Sequence, residues 1–454
     1  MSTAAYISHR VVFPNEVRPA AILVDTASGL ITRIAESDSF GPVDVVHDLG
    51  DQAILPGLID PHVHINEPGR TEWEGFETAT RAAAAGGITT VVDMPLNCLP
   101  PTTTVAGLEA KRAAAAGKCM VDWRPWGGAE NGNQAHLRAL ADAGVPGFKS
   151  FLVYPGCDGL GLIDETNLRT AMPILAELNL PLLVHAELPG PLEAAAATLV
   201  GKDFRKYEHY LASRPDEAEL AAIRLVIDLC REFRTPVHIV HLATALALPL
   251  IKAAKAEGLP VTVETCPHYL YFAAEDIPYG ATQYKCAPPV RSSKNREFLL
   301  QAVVDGTIDL IASDHSPCPP EMKGLESGDF AKAWGGIPSL SLGASILHTT
   351  LSDSPGGSNN LVALARLMSA NPARLAGIAD RKGGIAEGLD ADLTVFAPEE
   401  SFTVTPDDLH FRHLISPYLG ERLTGRVKQT ILRGNLIFDG NKFGSAPVGR
   451  EVSS

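Results

Sequence analysis

The chain has 454 residues, with 38 Lys and Arg against 53 Asp and Glu, a formal net charge of −15. Hydrophobic residues make up 45% of it, which excludes a disordered or collagen-like polymer and allows a large core with a smaller appended unit. An acidic balance without a basic run excludes sequence-independent nucleic-acid binding, which needs clustered Lys and Arg against phosphates.

The N-terminus, MSTAAYISHRVVFPNE, has no long apolar signal segment, and no uncharged apolar run of membrane length follows. Seven cysteines (Cys98, Cys119, Cys157, Cys230, Cys266, Cys286, Cys318) are scattered and never spaced as CxxC. They fit neither a disulfide framework nor a cysteine zinc site, so a reducing, cytoplasmic setting is expected.

Residues 1–53 read as short half-buried strands, AAILVD, ITRIAE and VDVVHDLG, broken by Ser, Asp and Gly turns. Residues 387–454 return to that pattern with ADLTVFAP and RVKQTILRGNLIFDG. The two ends are expected to build one small composite β-sandwich domain around a middle domain of residues 54–386.

That middle alternates. Apolar runs at Ile54–His64, Ile88–Pro95, Cys119–Trp126, Pro146–Val153, Pro181–Glu187, Pro236–Ala243, Pro260–Leu270 and Ile308–Ser316 read as buried parallel strands. Between them lie stretches of helical spacing, WEGFETATRAAAAG, DEAELAAIRLVIDLCREF and ALALPLIKAAKAEG among them. Eight such units predict an α/β fold of the (β/α)8, TIM-like barrel type. A doubly wound sheet is the rival, but no GxGxxG follows the first strand.

In such barrels chemistry gathers at the C-terminal ends of the strands. His62 and His64 (DPHVH) end the first run, and on a strand an offset of two puts both rings on one side, able to share a cation. Two histidines hydrogen-bonded in a loop would fit that pair equally. Lys149 (PGFKSFLVYPG) lies in the fourth run, where burial disfavours the ammonium; a stem buried below a solvated head is the plainer reading. His185 and His241 end the fifth and sixth runs, and singly each reads as a satisfied core histidine. His238 is three residues from His241 and faces the other way, so it is structural. Asp314 ends the eighth run, where a lone acid could cap a helix. Converging on one rim, the six suggest a metal centre. A deprotonated lysine that adds carbon dioxide becomes an anionic carbamate, which with the aspartate and a bridging hydroxide would offset most of the charge of two divalent ions.

Taken together, these residues resemble the amidohydrolase superfamily, in its cyclic amidohydrolase branch, across essentially the whole chain. The resemblance implies that His62, His64, Lys149 as N6-carboxylysine, His185, His241 and Asp314 hold two divalent metal ions per subunit. Zinc is expected first, with cobalt, manganese or iron also suited to such ligands. It also implies that Asp314 shuttles a proton, that the substrate is a small cyclic amide, and that the subunits form a homotetramer.

Within the branch, dihydroorotases carry an Arg two residues after the HxH pair to bind a carboxylate. Here HVHINEPGR places Asn66 there, and an amide suits an uncharged ureido or imide group better. The strings EPGRTEWEGFETATRAAAAGGITT, MPLNCLP, KCAPPVR, SDHSPC and AKAWGGIPSL resemble the allantoinases, which implies opening of the hydantoin ring of allantoin to allantoate in purine degradation. Hydantoinases or dihydropyrimidinases and dihydroorotases are the alternatives in the same chemistry, and a non-catalytic scaffold homologue is the alternative outside it. Tyr154, five residues after Lys149, resembles a hydantoinase tyrosine that hydrogen-bonds the oxyanion. His268, Asn97 and Ser316 are further candidates for substrate contact, with Cys286 and Ala287 offering backbone groups and His315 supporting a ligand. The segment between Tyr271 and Thr307 and the stretch Ala331–Ser339 are expected to cover the substrate, with Gly335 and Gly336 supplying unusual dihedrals.

Overall fold

The computed structural model describes residues 3–352 and 360–453. Eight short parallel strands occur in the predicted order: Leu58–Val63, Ile88–Asp93, Asp122–Pro125 with Gly127–Gly128, Phe148–Phe151, Leu182–His185, Val237–Ile239, Val261–Thr265 and Leu310–Ile311. Each pairs in parallel with the next. The third is interrupted at Trp126, whose buried indole donates to the Pro61 carbonyl at 2.8 Å. Its first half pairs with strand two and its second half with strand four. A parallel bridge between Val63 and His315 joins the end of strand eight to strand one, completing the circuit.

The helices form where the sequence spacing predicts. Asp216–Phe233 follows Pro215 and opens with Asp216, Glu217 and Glu219, acids that favour the positive end of a helix dipole. Its buried face, Ala218, Ala222, Ile223, Val226, Ile227 and Cys230, repeats every three or four residues. The seventh strand is shorter than its apolar run. It stops at Thr265, and Pro267 opens a helix, Pro267–Tyr271, that carries His268.

The termini meet in one eight-stranded sheet. Ala53–Pro56 lies between Thr3–Val12, parallel to it, and Leu393–Thr403, antiparallel to it. Tyr6, Ile22, Val24, Ile54, Leu393, Val395 and Ile431 pack into this domain's own core. Two expectations need correcting here. The run Ile54–His64 is not one strand, because Gly57 divides it, and the expected boundary after residue 53 falls inside a sheet strand. Only glycine fits at that corner: its N–H donates to the Asp392 carbonyl at 2.7 Å, and a Cβ would stand 2.4 Å from Thr89 Oγ1. The C-terminal tail also leaves the sheet, since Glu451 bridges to Trp123 on the barrel's third strand.

Lys382 ties the two domains. Its ammonium lies 2.9 Å from Asp122 of the barrel and 3.2 Å from Asp390, and it also pairs with Asp392. Those three carboxylates converge closely enough to suggest a cation site, but the buried ammonium, with Arg433 on Asp122 and Arg381 on Asp390, already supplies their countercharge. Among the described residues no helix is long and apolar enough to cross a membrane.

Candidate metal centre

All six residues singled out on the rim line one cavity of about 810 Å³. The strand ends deliver them, and two do so from left-handed backbone, His241 at φ 39° and Asp314 at φ 47°. Such conformations are costly for residues with a Cβ and cluster where function demands a fixed geometry.

The imidazoles fall into two pairs. His62 Nε2 and His64 Nε2 each lie 3.2 Å from Asp314 Oδ1. His185 Nδ1 and His241 Nε2 face each other at 3.0 Å. The remaining ring nitrogens are mostly held from behind: His62 Nδ1 by Glu264, His185 Nε2 by Glu187 at 2.7 Å, and His64 Nδ1 by Asn97 at 3.2 Å. A ring fixed through one nitrogen presents the other in a defined direction, as metal ligands require.

Electrostatics agree with that role. Burial pushes the pKa of His64 down to about 4 and those of His185 and His241 below the ordinary value, so these rings are neutral with free lone pairs at pH 7. Burial tends to raise the Asp314 carboxyl, but the facing His62 and His64 rings outweigh it and hold the pKa at about 2. Lys149 is fully buried, its Nζ has no hydrogen-bond partner, and it lies 4.7 Å from the centre of the Phe151 ring. Burial lowers its pKa to about 8, against the pull of Asp314 and Glu264. An unpartnered buried amine beside His64, His185, His241 and Asp314 has no hydrogen-bonding role in the fold, so the residues present fit a metal centre.

The proposed substrate contacts divide. Asn97, Tyr154 and Ser316 line the cavity, Tyr154 at its mouth with 60% exposure. Asn66 and His268 do not line it. Asn66 is buried at φ 67° with both amide atoms unpartnered, and both His268 ring nitrogens are buried without partners. Ala287 lines the cavity, whereas the Cys286 carbonyl accepts from Tyr210 Oη at 2.7 Å. His315 reaches the centre through its backbone, accepting from His64 N at 2.9 Å. His238 is structural as expected, held between Thr262 and Glu264.

Of the two expected covers, Ala331–Gly335 lines the cavity, while the Tyr271–Thr307 segment contributes Lys285 and Ala287 and ends in the helix Ser293–Val304. Gly335 and Gly336 do not have positive φ. Gly336 is required by close approach instead, since a Cβ there would meet the Ser316 carbonyl oxygen at 2.3 Å.

Sequence reasoning passed over Glu264, Glu187 and Arg70. Glu264, fully buried, binds His62, His238 and the backbone N–H of His241. Burial works to raise its pKa, yet the His62 and His238 rings keep it well below the ordinary range. An acid inside the apolar run VTVET was the available signal. Glu187 sits two residues after His185 and pairs with Arg214.

These observations describe a cluster of buried histidines, a lysine and a carboxylate in a barrel mouth, within which His62, His64 and Asp314 lie close enough to share one metal ion. The Amidohydrolase family model matches residues 53–437. The chain belongs to that family of metal-dependent hydrolases. An allantoinase from Streptomyces avermitilis is 48% identical over 447 residues, covering 98% of this chain and 97% of its own. An allantoinase from Saccharomyces cerevisiae is 41% identical, covering 100% and 99%. Among solved structures, an L-hydantoinase (dihydropyrimidinase) from Arthrobacter aurescens superposes with a TM-score of 0.95 at 29% identity over the whole of both chains.

Proposed function

We propose that this chain is an allantoinase, which opens the hydantoin ring of allantoin with water to give allantoate. The observation that carries the catalytic part is the pairing of ring nitrogens, His62 with His64 and His185 with His241, around the unpartnered amine of Lys149. The substrate follows from the full-length likeness to allantoinases.

His62, His64, His185, His241, Asp314 and Lys149 would hold two divalent ions, zinc first among cobalt, manganese and iron. The neutral amine of Lys149 would attack carbon dioxide, forming an N–C bond and releasing one proton to solvent, so that a neutral amine becomes an anionic ligand. When bound, such ions lower the pKa of water towards about 7 and polarise a carbonyl. Asp314, ionised and facing the cavity, accepts a proton from the attacking water and returns it to the departing ring nitrogen. Glu264 and Glu187 keep their histidines oriented throughout. Ser316 and Asn97 are on the cavity wall beside this carboxylate and these rings. Tyr154 stands at the mouth, where closure over substrate could bring its hydroxyl to the oxyanion.

The likeness to an L-hydantoinase favours one second reading, hydrolysis of hydantoins or dihydropyrimidines. Initial rates on allantoin, hydantoin, dihydrouracil and dihydroorotate decide between them. Preference for allantoin supports the proposal, and preference for dihydrouracil or a simple hydantoin overturns its substrate. A homotetramer in the cytoplasm belongs to the same proposal, and sedimentation velocity tests the assembly. The seven buried free thiols suit a reducing compartment.

A further inference from the structure

Asn97 is buried at 3% exposure and stands between two partners. Its Nδ2 lies 3.2 Å from His64 Nδ1, and its Oδ1 lies 2.8 Å from Cys157 Sγ. Cys157, 9% exposed, is the one cysteine among the described residues that lines the cavity. With the ring proton of His64 on Nε2, the donors and acceptors along this row are mutually consistent. The thiol donates to the amide oxygen, the amide N–H donates to His64 Nδ1, and His64 Nε2–H donates to Asp314 Oδ1, 3.2 Å away.

That pattern puts the ring proton of His64 on the nitrogen a metal ion needs. A neutral imidazole that offers its Nε2 lone pair carries its proton on Nδ1, where the amide N–H would oppose it donor to donor. The oxygen and nitrogen of a carboxamide are nearly the same size, so a half-turn of the amide exchanges them without moving either neighbour. After that turn, Oδ1 accepts from His64 Nδ1–H, and Nδ2 donates to the Cys157 sulfur. The Arg70 side chain also stands beside that sulfur and suits it as an acceptor.

We propose that Asn97 is a positioning residue for His64, its amide turning when a metal ion binds, with Cys157 taking up whichever half of the amide faces away from the ring. This rests on His64 being a metal ligand, and it moves Asn97 from substrate contact to metal support. The backbone there, at φ 62°, is one that Asn, Asp and Gly tolerate. Deletion by glycine therefore removes the amide without straining the chain.

The test is titration of the metal-stripped full chain with zinc, following ions bound per chain, for Asn97→Gly, Asn97→Asp, Cys157→Ala and Cys157→Ser. Asn97→Gly is expected to weaken binding at one of the two positions by about 10- to 100-fold. Asn97→Asp, which keeps an acceptor for Nδ1–H, is expected to bind within about 3-fold of the parent. Cys157→Ala is expected to lose about 3-fold, and Cys157→Ser, whose hydroxyl donates and accepts, to restore it. At saturating zinc, Asn97→Gly should again hold as many ions per chain as the parent. Parent-like zinc binding by Asn97→Gly together with a raised KM for allantoin overturns the proposal and makes Asn97 a substrate contact. Equal binding by the two Cys157 variants removes Cys157 from it. Should the zinc series hold while allantoin is not hydrolysed, the substrate reading fails and this one stands.

Discussion

His185 Nδ1 points at His241 Nε2 across 3.0 Å, while the far side of the His185 ring is clamped by Glu187 at 2.7 Å. Two neutral imidazoles turned edge to edge gain little from each other compared with what each would gain from a shared cation. Glu187 is in turn gripped by the Arg214 guanidinium, so the orientation of one ring reaches back through a buried ion pair.

That ion pair has an acid signature. Burial works to raise the Glu187 pKa, but Arg214 and the His185 ring lower it from 4.5 to about 2. A carboxyl depressed on folding contributes stability above its unfolded value, and this is lost as pH falls from about 4.5 to about 2. Thermal unfolding of metal-free Glu187→Gln should therefore start well below the parent at pH 6, and the gap should narrow through that window. A gap unchanged from pH 6 to pH 2 would contradict the assignment.

Asp314 is placed to move a proton, and removing its charge should show this. Asp314→Asn is expected to lose about 10²- to 10⁴-fold in kcat. Full turnover by that variant with both ions bound would exclude the role.

The Glu264 carboxylate holds the rings of His62 and His238 and accepts from the backbone N–H of His241. Glu264→Gln keeps the shape but loses the charge, and it should cost about 10- to 100-fold in metal affinity. Calorimetric zinc titration of the stripped protein reads this directly, and parent-like affinity would mean that His62 is oriented otherwise.

Gly336→Ala tests a close approach at the cavity rim, against Ser316, two residues after Asp314. Its Cβ would collide with the Ser316 carbonyl oxygen, to which the Trp334 indole also donates at 3.3 Å. The expected result is a loss of about 1–3 kcal/mol in unfolding free energy with metal content unchanged. Parent-like stability would mean that the Ala331–Ser339 stretch yields freely.

Much of this was legible in the sequence because period and position carry it. Alternating apolar runs and helical stretches specify the barrel, and polar residues at the ends of buried runs identify the six that line the cavity. What escaped depends on neighbours distant in sequence. Glu264 looks like an ordinary strand residue until His62, 202 positions away, is folded against it. Asn66 has a suggestive spacing after the HxH pair, but it is buried, with left-handed backbone, and does not line the cavity. Gly57 is invisible inside an apolar run until the close approach of Thr89 shows that the run must break there. Gly336 stands out in the sequence as a source of unusual dihedrals, whereas close contact with Ser316 is what requires glycine there.

The account as a whole is tested most directly by counting ions and weighing Lys149 in one sample while measuring allantoin hydrolysis. Protein reconstituted with zinc and bicarbonate should hold two ions per chain and carry the carbon dioxide adduct on Lys149 in a crystal structure. Its turnover should vanish when the ions are stripped and return when they are restored. Undiminished hydrolysis by metal-free protein with an unmodified Lys149 would contradict it.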